Sequence, residues 1–240
     1  MTRAMEEVVI LCGGRGTRLR EHTASIPKPL VEIGGEPIVW HVMRIYAAQG
    51  FRRFTLCTGY KGELIEAAVH SRSWPEGVEV RCIDTGIETP TGGRIAKVGP
   101  LLEGRPFCAT YADGVADIDL GRLVAFHREH GGLATMTVVR PELQFGVAEV
   151  DGDGRVRGFR EKPRSEHWVN GGFFCFEPGA LECMDEDSVL ERDPLESLAT
   201  RGQLHAFRHE GFWDCMDTYK DAVLLDDLWS RGEAPWKIWG

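Results

Sequence analysis

The chain has 240 residues, 42% of them hydrophobic, and a formal net charge of −9. That length can bury a sizeable α/β core without disulfides or structural metal. The charge argues against a protein that coats nucleic acid or an anionic membrane, yet it leaves room for a local basic loop that takes phosphate.

No apolar stretch suits a bilayer-spanning helix, and the segment from Met1 to Glu7 lacks the apolar core of a secretory signal. The expected location is therefore cytoplasmic, and no membrane or nucleic-acid partner is expected. The seven cysteines, Cys12, Cys57, Cys82, Cys108, Cys175, Cys183 and Cys215, are scattered, with no C-x-x-C pair. They read as small, mostly buried hydrophobes of a reducing compartment.

In chain order, Val8–Cys12 is a continuous apolar run, the pattern of a strand covered on both faces. A glycine-rich loop follows, then Pro27-Lys28-Pro29, whose prolines disfavour a helix and predict an extended Lys28 backbone. Pro37 to Gln49 has one apolar face and Gly50 behind it, a helix with proline in its first turn. Phe54–Cys57 is a second buried strand, Glu63–Val69 a helix, Val78–Ile83 a strand, and Phe107–Tyr111 another strand ending at Ala112-Asp113-Gly114. Leu120–His130 is a helix that Asp119 can cap.

This alternation predicts a Rossmann-like, mostly parallel sheet flanked by helices on both faces. The later half is richer in strands. Val147–Val150 and Val156–Phe159 flank Asp151-Gly152-Asp153-Gly154, a hairpin signal. Gly172–Phe176 and Leu204–Arg208 are further strands, and Thr218–Trp229 is a closing helix. We expect one domain, with a nucleotide-binding half over about residues 8–130 and a second half over 131–240.

The glycine loop Gly13-Gly14-Arg15-Gly16-Thr17-Arg18 is the first feature with chemistry. Amides of a tight turn point at an anion, glycine lets backbone approach it, and Arg15 and Arg18 add charge. The loop is not a dinucleotide fingerprint, because Leu19 stands where the third glycine belongs. It also lacks the Gly-Lys-Ser/Thr of a P-loop, and no kinase triplet accompanies it. Lys28 follows within reach, held by its prolines as a lysine aimed at a phosphoryl group must be.

Asp113 ends a buried strand at the edge where parallel sheets bind ligands. Asp217 stands at the start of the last helix, where it either caps that helix or joins Asp113 in holding one Mg²⁺. Asp151-Gly152-Asp153-Gly154 is no calcium loop, since Lys162 occupies the position of its final glutamate. Glu161-Lys162-Pro163 can present a lysine to a second phosphate or form an exposed ion pair. Asn170-Gly171-Gly172 offers amide hydrogen bonds with room for a sugar. Thr91-Gly92-Gly93-Arg94 reads as a second glycine loop or a β-turn. The eight histidines show no metal-binding spacing.

Taken together, Leu11-Cys12-Gly13-Gly14-Arg15-Gly16-Thr17-Arg18-Leu19, Pro27-Lys28-Pro29-Leu30-Val31, Phe159-Arg160-Glu161-Lys162-Pro163 and Met216-Asp217-Thr218 resemble the sugar-1-phosphate nucleotidyltransferase family, the nucleotide-sugar pyrophosphorylases. The likeness runs from about Val8 to the end and is strongest to the cytidylyltransferases that act on glucose 1-phosphate. It implies a nucleoside triphosphate, CTP favoured, and a sugar 1-phosphate as substrates, Mg²⁺ as cofactor, and a homo-oligomer. Leu11 to Arg18, Lys28, Thr89, Gly93, Arg94, Ala112 and Asp113 would contact the nucleotide. Arg18, Lys28 and Asp113 would be catalytic. Asp113 and Asp217 would bind the metal, and Glu161, Lys162, Asn170 and Gly171 the sugar phosphate. Cys12 and Ala112 replace the alanine and glycine usual in the family, and the stretch before Asp84 is shorter than in the cytidylyltransferases. The same chemistry with dTTP, UTP or GTP is one alternative. An inactive regulatory relative is another, disfavoured by the presence of Lys28, Asp113, Lys162 and Asp217.

Overall fold

The computed structural model describes residues 5–16 and 26–240. Its first strand is β1 (Glu7–Leu11). Lys28–Leu30 forms one turn of three-ten helix, followed by the two-residue strands β2 (Glu32–Ile33) and β3 (Glu36–Pro37). Next come α1 (Ile38–Ala48), β4 (Arg53–Thr58), α2 (Gly62–His70), β5 (Glu79–Asp84) and α3 (Thr91–Val98). β6 (Phe107–Tyr111), β7 (Gly114–Ala116), α4 (Leu120–His130) and β8 (Ala134–Val139) follow. The chain continues with β9 (Val147–Val150), β10 (Val156–Arg160), β11 (Val169–Phe176), α5 (Asp193–Thr200), β12 (Leu204–Arg208), β13 (Trp213–Cys215) and α6 (Tyr219–Ser230).

Seven strands make one sheet in the order β12-β8-β11-β6-β1-β4-β5. β1 pairs in parallel with β4 and β6, β4 with β5, and β12 with β8. β11 alone of the seven runs against its neighbours β6 and β8. The sheet is therefore mixed and mostly parallel, with helices on both faces as the alternation predicts, and it takes strands from both halves of the chain.

Side-chain alternation explains the apolar runs. Val8 and Ile10 enter the core under α1, α2, α4 and α6, whereas Val9 enters the opposite core with Ile95 of α3 and Leu198 of α5. A strand buried on both sides must be apolar at every position. All seven cysteines are free thiols, and Cys12, Cys57, Cys108 and Cys175 are buried. No helix of the described residues is long and apolar enough to cross a membrane.

Two local expectations fail for identifiable reasons. Lys28 is not extended, because Leu30 N–H donates to Pro27 O at 2.9 Å and Val31 N–H to Lys28 O at 3.1 Å. Pro29 fits that turn because the first helical positions need no amide donor. Thr91-Gly92-Gly93-Arg94 is neither loop nor β-turn but the first turn of α3, with Arg94 N–H donating to Pro90 O at 3.0 Å. Its glycines are there for packing. A Cβ on Gly93 would collide with the Glu186 carbonyl, and one on Gly92 would lie 2.8 Å from the Ser188 carbonyl oxygen. Close approach overrides the poor helix propensity of two glycines.

Candidate active site

The C-terminal ends of β1 and β6 open onto a cavity of about 280 Å³. Leu11, Cys12, Gly14, Gly16, Lys28, Pro29, Tyr111, Ala112, Asp113 and Asp217 line it. The glycine loop is tied to the neighbouring strand by Cys12 N–H to Cys57 O at 2.9 Å and by Tyr60 N–H to Gly13 O at 3.2 Å. Gly13 is buried against the Arg94 guanidinium, and a Cβ there would land on it. Arg94 itself is 4% exposed and donates to Thr58 O, Thr85 Oγ1 and Ile87 O at 2.9, 2.6 and 3.2 Å. It thus braces the loop from beneath.

Thr89 Oγ1 bonds Thr85 O at 2.5 Å, within the same segment, and Gly93 packs against Glu186 as above. Arg15 is exposed and pairs with Glu88 at 2.5 Å. Thr17 and Arg18 lie outside the described residues.

Asp113 and Asp217, remote in sequence, meet because β7 and β13 pair antiparallel, with Gly114 opposite Cys215 and Met216 N–H donating to Asp113 O at 2.9 Å. Lys28 completes the cluster. Its Nζ lies 2.5 Å from Asp113 Oδ2 and 2.7 Å from Asp217 Oδ1. Burial opposes the ammonium charge, but the two carboxylates outweigh it and raise the lysine pKa above its ordinary value. Asp217 does not cap the last helix. That role belongs to Thr218, whose hydroxyl accepts from Asp221 N–H in a reciprocal capping box. The carboxylate of Asp217 is left to face the cavity.

The proposed sugar-side residues are spread wider. Asn170 bonds the cavity-lining Tyr111 through Nδ2 at 3.2 Å. The carbonyl of Gly171 accepts from Trp213 Nε1 at 2.8 Å, which pins the irregularity in β11 after Asn170. Glu161 and Lys162 stand exposed at the end of β10, outside the cavity lining. Tyr111 was not anticipated. Its place at the ligand-binding end of β6, two residues before Asp113, is the signal that could have found it. A larger hollow of about 720 Å³ lies behind the Lys28–Leu30 turn, walled by Leu30, Val31, Pro37, Ala68 and Val223. It contains neither Lys28 nor Asp113 and Asp217, which line the smaller cavity.

A lysine set between two carboxylates, beside a braced glycine loop at the C-terminal edge of parallel strands, is the site of an α/β protein suited to hold a phosphorylated ligand. The family model described as Nucleotidyl transferase matches residues 7–218, and the chain belongs to that family. It is similar to the glucose-1-phosphate cytidylyltransferase of Salmonella typhi, 41% identical over 97% of this chain and 99% of that protein. The probable glucose-1-phosphate cytidylyltransferase of Bacillus subtilis is 38% identical over 97% of this chain and all of that one. Among solved structures, HddC from Yersinia pseudotuberculosis superposes with a TM-score of 0.74 at 24% identity, covering 94% of this chain and all of that chain, and so shares the fold.

Proposed function

We propose that the enzyme converts CTP and α-D-glucose 1-phosphate to CDP-glucose and pyrophosphate. The placement of Lys28 Nζ between Asp113 and Asp217 at the cavity carries this reading. Full-length similarity to the two cytidylyltransferases supports CTP and glucose 1-phosphate as the pair.

The reaction is a single displacement. An oxygen of the sugar phosphate forms a bond to the α-phosphorus of CTP while the bond to the pyrophosphate oxygen breaks in line. No covalent enzyme intermediate is needed, so the protein's contribution is orientation and charge. Lys28 and Arg18 balance negative charge at the α-phosphate. The amides of Leu11 to Gly16 cradle the triphosphate, with Arg15, Thr17, Ala112, Thr89 and Gly93 beside the nucleotide and Arg94 supporting the loop from below. Glu161, Lys162, Asn170 and Gly171 hold the sugar phosphate.

The donor set fits Mg²⁺. Asp113 and Asp217 already direct one oxygen each at a common positive centre. Among the described residues no group of three or more His, Cys, Asp or Glu forms an alternative metal cluster. Mg²⁺ is a hard cation that takes few protein carboxylates and completes its shell with water and phosphate. Bound there, it would neutralise triphosphate charge.

The test is a matrix of CTP, dTTP, UTP and GTP against several sugar 1-phosphates, read by pyrophosphate release. CTP with glucose 1-phosphate should give the highest kcat/KM, and a faster pair would displace this assignment. Asp113→Asn should lower turnover by about 10²-fold or more with an unchanged circular dichroism spectrum. Near-normal turnover in that variant would remove Asp113 from the mechanism.

A further inference from the structure

The hydroxyl of Tyr111 bonds two polar side chains, Asn170 and Glu191, and through Glu191 is linked to Thr91. The tyrosine ring lies against Gly172, whose φ of 81° and missing Cβ make room for it. Asn170 Nδ2 donates to the hydroxyl oxygen at 3.2 Å, and the hydroxyl donates to Glu191 Oε1. The other oxygen of Glu191 accepts from Thr91 Oγ1 at 2.7 Å, and Thr91 Oγ1 accepts from Leu190 N–H at 2.9 Å. At the far end, Asn170 Oδ1 accepts from Gly172 N–H at 2.9 Å.

Each proton in this network has one possible direction. Backbone amides only donate, and a carboxylate only accepts. Thr91 and Tyr111 must therefore both donate to Glu191. The phenol has a single proton, and its hydroxyl directs that proton at Glu191 Oε1. That proton is committed to Glu191, which leaves the phenol oxygen as an acceptor for Asn170. Asn170 must then present nitrogen to Tyr111 and oxygen to Gly172. An amide nitrogen carries two hydrogens. One goes to Tyr111, and the second is directed by the same constraint.

We propose that Glu191 is a positioning residue for the sugar 1-phosphate, fixing through Tyr111 the polarity of the Asn170 amide so that its second N–H meets a hydroxyl or phosphate oxygen of that substrate. This rests on the placement of Asn170 at the sugar phosphate in the reaction above. Glutamine at position 191 removes the commitment of the tyrosine proton, because an amide offers a donor nitrogen as well as an acceptor oxygen. Its amide can donate to the Tyr111 oxygen, which turns the tyrosine proton toward Asn170 nitrogen and sets donor against donor. Asn170 cannot relieve the conflict by flipping, because its nitrogen would then face Gly172 N–H.

The experiment is a double-mutant cycle with wild type, Glu191→Gln, Tyr111→Phe and the double variant. KM for each substrate is measured separately by pyrophosphate release, and folding is checked by thermal melting. Glu191→Gln should raise KM for the sugar 1-phosphate about tenfold, the effect of one substrate hydrogen bond, while KM for the nucleotide stays within about twofold. In the Tyr111→Phe background the same change should add nothing, because the relay is already cut. An unchanged sugar KM, an equal rise in both KM values, or additive effects in the cycle would overturn the proposal while wild-type turnover leaves the reaction standing. A wild-type enzyme that releases no pyrophosphate with any pair would overturn both.

Discussion

His41 shows how burial makes a side chain sensitive to pH. It is fully buried, its Nε2–H donates to Ile33 O at 2.8 Å, and its Nδ1 accepts from Trp236 Nε1 at 3.3 Å. Both ring nitrogens are used by the neutral form. Burial pushes its pKa down to about 4, with only partial opposition from Ile33 O and Glu36. His127 is also driven to about 4, by burial and then by His130, Arg128 and His205. A lowered histidine pKa means that the unfolded chain takes up protons first. Stability is therefore full above about pH 6.5 and is lost as the pH falls from there toward 4. Each ring contributes of order 3 kcal/mol across that window. Urea denaturation between pH 7.5 and 4 should show the midpoint falling, and His41→Gln should flatten the slope. An equally steep slope in that variant would exonerate the ring.

At the scale of elements, the end of α6 nearest the cavity is the point where stability and function meet. Thr218 and Asp221 exchange hydrogen bonds, and the Asp221 carboxylate also accepts from Asp217 N–H at 3.1 Å. Thr218→Ala should cost about 1 kcal/mol, which for a chain of this size lowers Tm by roughly 2–4 °C. Because the capping box also holds Asp217, the variant should need more Mg²⁺ for half-maximal pyrophosphate release. A lowered Tm with an unchanged Mg²⁺ requirement would separate the two roles.

The elements themselves were legible wherever local pattern decides structure. The buried strands β1, β4 and β6, the Asp119-capped α4 and the β9–β10 hairpin all follow from apolar runs, caps and turn residues. α3 was hidden because its glycines are explained by contacts with Ser188 and Glu186, which no local pattern reveals. β8 was missed because its threonines interrupt the apolar run. Lys28 and Asp113 could be picked out by residue type and position, but their distance from Asp217 depends on the pairing of β7 with β13. Glu191 carries no local signal, since it acquires a role only when the chain before α5 folds over Tyr111.

At the scale of the whole molecule, the last residues return to brace the Lys28 segment. Trp236 is fully buried, stacks on Phe212 and Trp229, and donates to His41. His41 in turn holds Ile33 of β2, which follows the Lys28 turn. Trp236→Ala should lose about 3–5 kcal/mol, seen as a lower denaturant midpoint. Trp236→Phe, which keeps an aromatic ring but loses the indole donor and part of the buried volume, should lose less. Equal losses would show that the phenyl ring recovers none of the packing energy at this site.

The reversed strand β11 has a consequence for how this protein can be rebuilt. Val139, the last residue of β8, pairs with Val169, the first of β11. Antiparallel partners lie about 5 Å apart, so the chain leaves the sheet and returns to it at almost one point. Everything between, including the separate β9–β10 ladder with Glu161 and Lys162 at its end, enters and leaves the sheet at that point. The excursion is therefore a cassette. The corresponding segment of a relative could be spliced between Val139 and Val169 with the register of the seven strands kept.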